Sequence, residues 1–297
     1  MEKLGRLITA MITPFDERGN VDYGQARKLA LALLDSGSDG LVVSGTTGES
    51  PTLSKEEKLK LFAEVKSAVG TRGAVIAGTG SNNTADSVAL TKQAEATGVD
   101  AALLVVPYYN KPTQEGLYEH FKAIASGTKL PCIVYNVPGR TVTSLSVDTV
   151  VKLSHIDNLI GIKEASGNLE QVAKIIEGTP DSFAMFSGND SDTLPILALG
   201  GYGVISVASH LVGVQIKDMI DRFVKGDTTG AAAAHRRLLP LVNALFLVSN
   251  PIPVKYAVNK LGFRAGKPRL PLMEPDTKTA AAIDAALKNY KIDLPVR

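Results

Sequence analysis

From residue 7 to about residue 223, short apolar runs alternate with longer stretches in which apolar residues recur every three or four positions. That is the pattern of repeated βα units feeding a parallel sheet. The runs predict strands at 7–12, 40–43, 74–77, 101–106, 133–136, 159–163, 184–187 and 203–207, with amphipathic helices between them. Helix starts are marked by Ser54-Lys55-Glu56-Glu57, a capping box, and by Asn168 ahead of Leu169. Helix ends repeat one device, a glycine placed just before the next strand: Ser36-Gly37-Ser38-Asp39-Gly40, Thr97-Gly98-Val99-Asp100-Ala101 and Leu199-Gly200-Gly201-Tyr202-Gly203. Eight such units of about 28 residues predict a (β/α)8 TIM barrel over residues 1–226 rather than an open doubly wound sheet.

After residue 223 the strand pattern stops. Lys225-Gly226-Asp227 breaks the chain, and helical periodicity returns at 228–248, 253–261 and 276–289, separated by Pro and Gly clusters. Residues 227–297 therefore read as a small all-helical extension that covers the barrel or forms an oligomer contact. Its sequence carries no recognisable chemistry.

Composition narrows the partners. The 297 residues carry 44% hydrophobic and 21% charged side chains and a net charge of +2, with the basic residues scattered. No basic patch for nucleic acid or an anionic membrane stands out, and no apolar run is long enough to span a bilayer. The single cysteine, Cys132, excludes an intrachain disulfide and suits a reducing, cytoplasmic setting. The four histidines, His120, His155, His210 and His235, lack metal-ligand spacing, so no metal is expected. Gly78-Thr79-Gly80-Ser81-Asn82-Asn83 lacks the third glycine of a dinucleotide fingerprint, and there is no phosphate-cradling or serine-elbow motif.

The candidate chemistry centres on Gly161-Ile162-Lys163-Glu164-Ala165-Ser166-Gly167. Strand alternation puts Ile160 and Ile162 on one face and Gly161 and Lys163 on the other. With the isoleucines under helices, Lys163 points into the barrel, where an unpaired ammonium is costly. Either an ion pair answers that cost, or the lysine is held neutral so that it can attack a carbonyl and form a Schiff base. Neutrality at pH 7 opposes a preference of about 4.6 kcal/mol, a shift within the reach of burial.

The other strand ends are polar, and strand ends build the site of such a barrel. Strand two runs into Ser44-Gly45-Thr46-Thr47-Gly48-Glu49, a glycine turn that either offers hydroxyls and amides to an anion or caps the next helix. Strand four delivers Tyr108-Tyr109-Asn110-Lys111-Pro112, a pair of tyrosines better suited to an interface. Strand five points Tyr135 inward beside the lysine strand and follows it with Arg140. These are either a proton-shuttling tyrosine and a fork for a carboxylate, or a buried tyrosine with its hydroxyl satisfied and an arginine in a surface pair. The first reading gains weight from Lys163 at the same end of the barrel. Strand seven ends in Ser187-Gly188-Asn189-Asp190, and strand eight places Ile205 inward as an apolar wall.

In combination and order, Gly45-Thr46-Thr47-Gly48-Glu49-Ser50, Tyr108-Tyr109-Asn110-Lys111-Pro112, Tyr135-Asn136-Val137-Pro138-Gly139-Arg140-Thr141, Ile162-Lys163-Glu164-Ala165-Ser166-Gly167 and Gly200-Gly201-Tyr202-Gly203-Val204-Ile205-Ser206 are highly specific. Over essentially its whole length the chain resembles the dihydrodipicolinate synthase family of the class I pyruvate-dependent aldolases. The resemblance implies condensation of pyruvate with L-aspartate 4-semialdehyde, toward diaminopimelate and lysine. Lys163 would carry the imine and Tyr135 the proton, within a hydroxyl relay with Thr46 and with Tyr109 of a neighbouring subunit. Thr47 would hold the pyruvate carboxylate, Arg140 that of the semialdehyde, and carbonyls near Gly188 and Ile205 would line the site. No cofactor beyond the covalent imine is implied, and the family pattern is a homotetramer of tight dimers. Sialate lyases and sugar-acid aldolases share the lysine and tyrosine but typically lack the arginine after Tyr135, which disfavours that alternative. A catalytically dead barrel that merely binds a carboxylate is disfavoured by the intact Lys163, Tyr135 and Thr46.

Many members of this family carry a lysine feedback site, which Ser50, Asn82 and Tyr108 match. Lys55 and Lys58 stand where inhibited members commonly carry histidines, and Asp86 where they carry glutamate. Added cations repel an ammonium ligand, so the resemblance implies weak or absent inhibition by lysine.

Overall fold

The computed structural model describes residues 4–296. Its strands are β1 Leu7–Ala10, β2 Gly40–Val43, β3 Ala74–Gly78, β4 Ala101–Val105, β5 Cys132–Asn136, β6 Leu159–Glu164, β7 Ala184–Ser187 and β8 Gly203–Ser206. They pair in parallel in chain order, and β8 returns to pair with β1, which closes the barrel. Each lies within two residues of its predicted run at either end.

The strands are buried on both faces, which is why they read as continuous apolar runs. Alternation divides their side chains into two packed layers. Ile8, Val42, Ile76, Leu103, Ile133, Phe186 and Ile205 fill the barrel interior, while Leu41, Val43, Val75, Leu104, Val134, Ile162 and Met185 meet the surrounding helices. The capping signals hold: Ser54 and Glu57 cap each other's backbone, and the Asn168 side chain accepts from the Gln171 amide. Gly37 and Gly200, closing their helices, both sit at φ 104°.

One expectation about β6 fails. Ile160 and Ile162 do not share a face: Ile162 joins the outer layer, whereas Ile160 packs against the inner one. The β5–β6 register shifts between Cys132 and Ile133, passing from Leu159 to Gly161 and leaving Ile160 as an extra residue. Such a bulge resets the alternation locally. Past it the pattern is regular, so Gly161 and Lys163 share the inner face as expected. Gly161 is required for space, since a Cβ there would lie 2.5 Å from the Ala184 carbonyl oxygen.

Three helices, Thr228–Ala244, Ile252–Lys260 and Thr277–Leu287, make up most of the C-terminal region. The first stops short of its predicted end. Phe246, Leu247 and Val248 lie exposed in a turn instead, and that turn carries the chain back to Asn250 at the barrel mouth. The second helix is pinned by Lys255, which is fully buried. Its ammonium donates to Glu49 Oε1 at 2.8 Å and to the Thr13 carbonyl at 2.9 Å, and lies 3.9 Å from the centre of the Phe15 ring. Removing one partner of a buried pair strands the other charge, so Lys255→Met is expected to destabilise the protein by about 3–5 kcal/mol. A lowered urea midpoint would show it, and Lys255→Met with Glu49→Gln should recover part of the loss. An unchanged midpoint in the single variant would mean that the pair contributes no net stability.

Candidate active site

Lys163 and Tyr135 stand directly across from each other in the β5–β6 register, both on the inner face. The lysine is 5% exposed and the tyrosine 6%, and the ammonium lies 4.2 Å from the centre of the phenol ring. On the other side of Lys163 is Phe186 of β7. In that apolar setting burial lowers the lysine from 10.5 to about 7, with Asp190 pulling it back up and Arg140 pushing it further down. At neutral pH a substantial fraction is therefore free amine, the nucleophilic form.

Burial has the opposite sign for a phenol. It raises the Tyr135 hydroxyl to about 12, with Arg140 and a hydrogen bond with Thr46 acting against it. Tyr135 is protonated at neutral pH and so is a proton donor in its resting state.

A cavity of about 230 Å³ opens from Tyr135 toward the surface, lined among others by Thr46, Arg140, Tyr108, Ser50 and Lys58. Lys163 is not part of that lining, but Tyr135, which is, has its ring centre 4.2 Å from the Lys163 ammonium. Thr47, in contrast to Thr46, is buried, and its Oγ1 accepts from Asn250 Nδ2 at 2.9 Å. Arg140 follows β5 in a single helical turn, Pro138–Thr141, and its Nη2 donates to the Asn250 carbonyl at 3.2 Å. Ile205 is fully buried in the inner layer, and the Gly188 amide donates to the Glu164 carbonyl at 2.7 Å.

The structure therefore brings Lys163, Tyr135, Thr46 and Arg140 to one end of the barrel, with Thr47, Gly188 and Ile205 around them. Tyr109 is the exception. It is 89% exposed on the loop after β4, at φ 75°, and belongs to the surface of this chain. Of the residues matched to a feedback site, Asn82 and Tyr108 meet, the Asn82 Nδ2 donating to the Tyr108 carbonyl at 3.1 Å, while Ser50 and Tyr108 share the outer cavity wall. Lys58 is in that wall too, its ammonium lowered by burial.

Two neighbours carry no motif of their own. Asp190, which the sequence places in a turn, is a buried carboxylate that accepts the Ser206 hydroxyl and the amides of Val207 and Ala208 at 2.9 and 3.0 Å. Burial raises its pKa, and it is the charge that draws the Lys163 pKa upward. An acid at the end of a barrel strand was the available signal. Asn250 lies in the C-terminal extension, and no local pattern marks it.

The chain matches the family model described as "Dihydrodipicolinate synthetase family" over residues 3–290. It is 65% identical over 297 residues to 4-hydroxy-tetrahydrodipicolinate synthase of Dehalococcoides mccartyi, covering 100% of both proteins. Against the protein of the same name from Moorella thermoacetica it is 55% identical over 284 residues, covering 96% of this chain and 97% of that one. A crystal structure of dihydrodipicolinate synthase from Bacillus anthracis superposes with a TM-score of 0.95 at 48% identity, covering 97% of this chain and 99% of that one. That of the Cyanidioschyzon merolae protein, solved with lysine bound, has a TM-score of 0.95 at 47% identity, covering 96% and 98%.

Proposed function

Because the chain belongs to the dihydrodipicolinate synthetase family, we infer that it condenses pyruvate with L-aspartate 4-semialdehyde to give 4-hydroxy-tetrahydrodipicolinate, a lyase step toward diaminopimelate and lysine. The observation that carries the chemistry is the Lys163–Tyr135 pair: an amine lowered by burial to about 7, 4.2 Å from the ring of a protonated tyrosine.

The free amine of Lys163 attacks the pyruvate ketone, and loss of water leaves an imine. The hydroxyl relay of Tyr135 and Thr46 takes up a methyl proton to give the enamine, whose carbon attacks the aldehyde while Tyr135 returns that proton to the developing alkoxide. The substrate's own amino group then displaces Lys163 from the imine carbon, closes the ring and frees the enzyme. Thr46 adjoins Tyr135 and passes the proton along. Thr47 holds the pyruvate carboxylate and Arg140 the second one, with Gly188 and Ile205 as walls. The imine is formed on the protein's own lysine, so the route needs no separate cofactor.

Tyr109 joins the relay from a second subunit, within a homotetramer built from tight dimers. Its exposure in the single chain supports that role. The substrates are small molecules, and among the described residues no helix is long and apolar enough to cross a membrane. The single cysteine is buried and unpaired, in keeping with a cytoplasmic setting.

A rate with pyruvate and aspartate semialdehyde, coupled to a nicotinamide-dependent reductase, tests the whole assignment. Adduct formation with pyruvate but no rate would point to another aldehyde partner. Lysine inhibits weakly or not at all, because the Lys58 ammonium stands in the wall that Ser50 and Tyr108 share. Sub-millimolar lysine is expected to leave the coupled rate unchanged, and strong inhibition there would refute this.

A further inference from the structure

The C-terminal extension meets the substrate end of the site through one asparagine. Asn250 is 6% exposed, and its carboxamide crosses 203 residues of sequence to donate from Nδ2 to Thr47 Oγ1. Its backbone carbonyl accepts from Arg140 Nη2. The same extension grips the threonine turn from below. The Glu49 amide closes that turn on the Thr46 carbonyl at 3.0 Å, while the Glu49 carboxylate is held by Lys255 and by the Arg269 amide at 2.8 Å. The Lys255 amide in turn bonds to the Pro251 carbonyl at 3.0 Å, so the ion pair and the asparagine are parts of one rigid connection.

A hydroxyl has a single proton and two lone pairs. With an amide N–H already on its oxygen, Thr47 keeps its proton for another acceptor, and an anion is the ligand that needs one. The Asn250 Oδ1, meanwhile, is buried and makes no hydrogen bond within the chain. An apolar side chain of the same size would avoid that cost, so what the position supplies is the N–H.

We propose that Asn250 is a positioning residue: through Thr47 it orients the hydroxyl that binds the pyruvate carboxylate, and through its carbonyl it ties that group to Arg140, so that one residue sets the two carboxylate-binding groups relative to each other. This rests on the functional reading above.

The test is a double-mutant cycle of Asn250→Ala and Thr47→Val, read as pyruvate KM and kcat and as the pyruvate dependence of borohydride trapping on Lys163. Alanine keeps the backbone carbonyl, so only the Thr47 contact is lost. Asn250→Ala is expected to raise the pyruvate KM about tenfold with kcat within about twofold. In the Thr47→Val background the same change should move KM by less than about twofold. Asn250→Asp, of the same shape but without the donor, should raise KM at least as much, and serves if the alanine variant does not fold. Equal shifts in both backgrounds, or a fall in kcat at constant KM, would overturn the proposal. If the unsubstituted enzyme traps pyruvate but Asn250→Ala leaves KM unmoved, this inference alone fails. If it traps none, the functional reading fails as well.

Discussion

Lys163→Ala is expected to form no borohydride-stable adduct with pyruvate and to lose roughly four or more orders of magnitude in kcat/KM. Among the described residues no other lysine combines burial inside the barrel with a tyrosine partner on the neighbouring strand. Lys255 is buried as well, but its ammonium is engaged by Glu49 and the Thr13 carbonyl. The loss should come without unfolding, because shortening a buried lysine removes a desolvated amine rather than the partner of an ion pair. The native enzyme offers a companion measurement in the pH dependence of trapping. Only the free amine attacks, and burial lowers Lys163 to about 7. As pH falls below that value the amine is protonated and the trapping rate drops about tenfold per pH unit, whereas above it the rate levels off. A midpoint near that of an exposed lysine would mean that the interior is not dry enough to tune it, and an adduct persisting in Lys163→Ala would move the imine elsewhere.

Tyr135→Phe ranks second in expected effect, lowering kcat by about 10²–10³. Phenylalanine keeps the ring that packs in the inner layer and faces the lysine ammonium, so the fold and the adduct with pyruvate should survive. What disappears is a hydroxyl raised by burial to about 12, which holds its proton at neutral pH and can give it to the aldehyde oxygen. The same burial makes it a reluctant acid, and the Thr46 hydroxyl, whose hydrogen bond lowers the Tyr135 pKa against burial, is placed to replace the proton as it leaves. Rapid-quench measurement of condensation, separate from trapping, checks the prediction. Normal turnover in Tyr135→Phe would take the tyrosine out of the proton relay.

Much of this is legible in the chain because it depends on local periodicity. A strand buried on both faces writes itself as an apolar run, and a strand with period two announces which side chains look inward. Alternation alone therefore turns both Lys163 and Tyr135 toward the barrel interior, and they do stand side by side. Capping residues and helix-closing glycines are local as well, and Ser54, Asn168 and Gly200 behave as their spacing implies. Ile160 marks where this reasoning fails. A bulge depends on how two strands are paired, and nothing within either strand reports it.

Lys255 and Asn250 fail for a different reason. In its own helix Lys255 looks like a surface cation, and Asn250 like a turn residue ahead of a proline. Each acquires its meaning from a group more than 200 positions away: Glu49 for the lysine, Thr47 for the asparagine. The closing of the barrel determines those distances. Burying a charge or an amide is tolerable only where its partner already waits. The eight βα units, the inward lysine and tyrosine and the polar strand ends are thus properties of the chain read in order, since backbone geometry acts over a few residues. Which lysine is shifted toward its free amine and which is paired with a carboxylate depends on contacts made across the folded barrel, and so does the anchoring of the threonine turn by the C-terminal extension. Electrostatic energy at short range follows distance in space, whatever the separation along the chain.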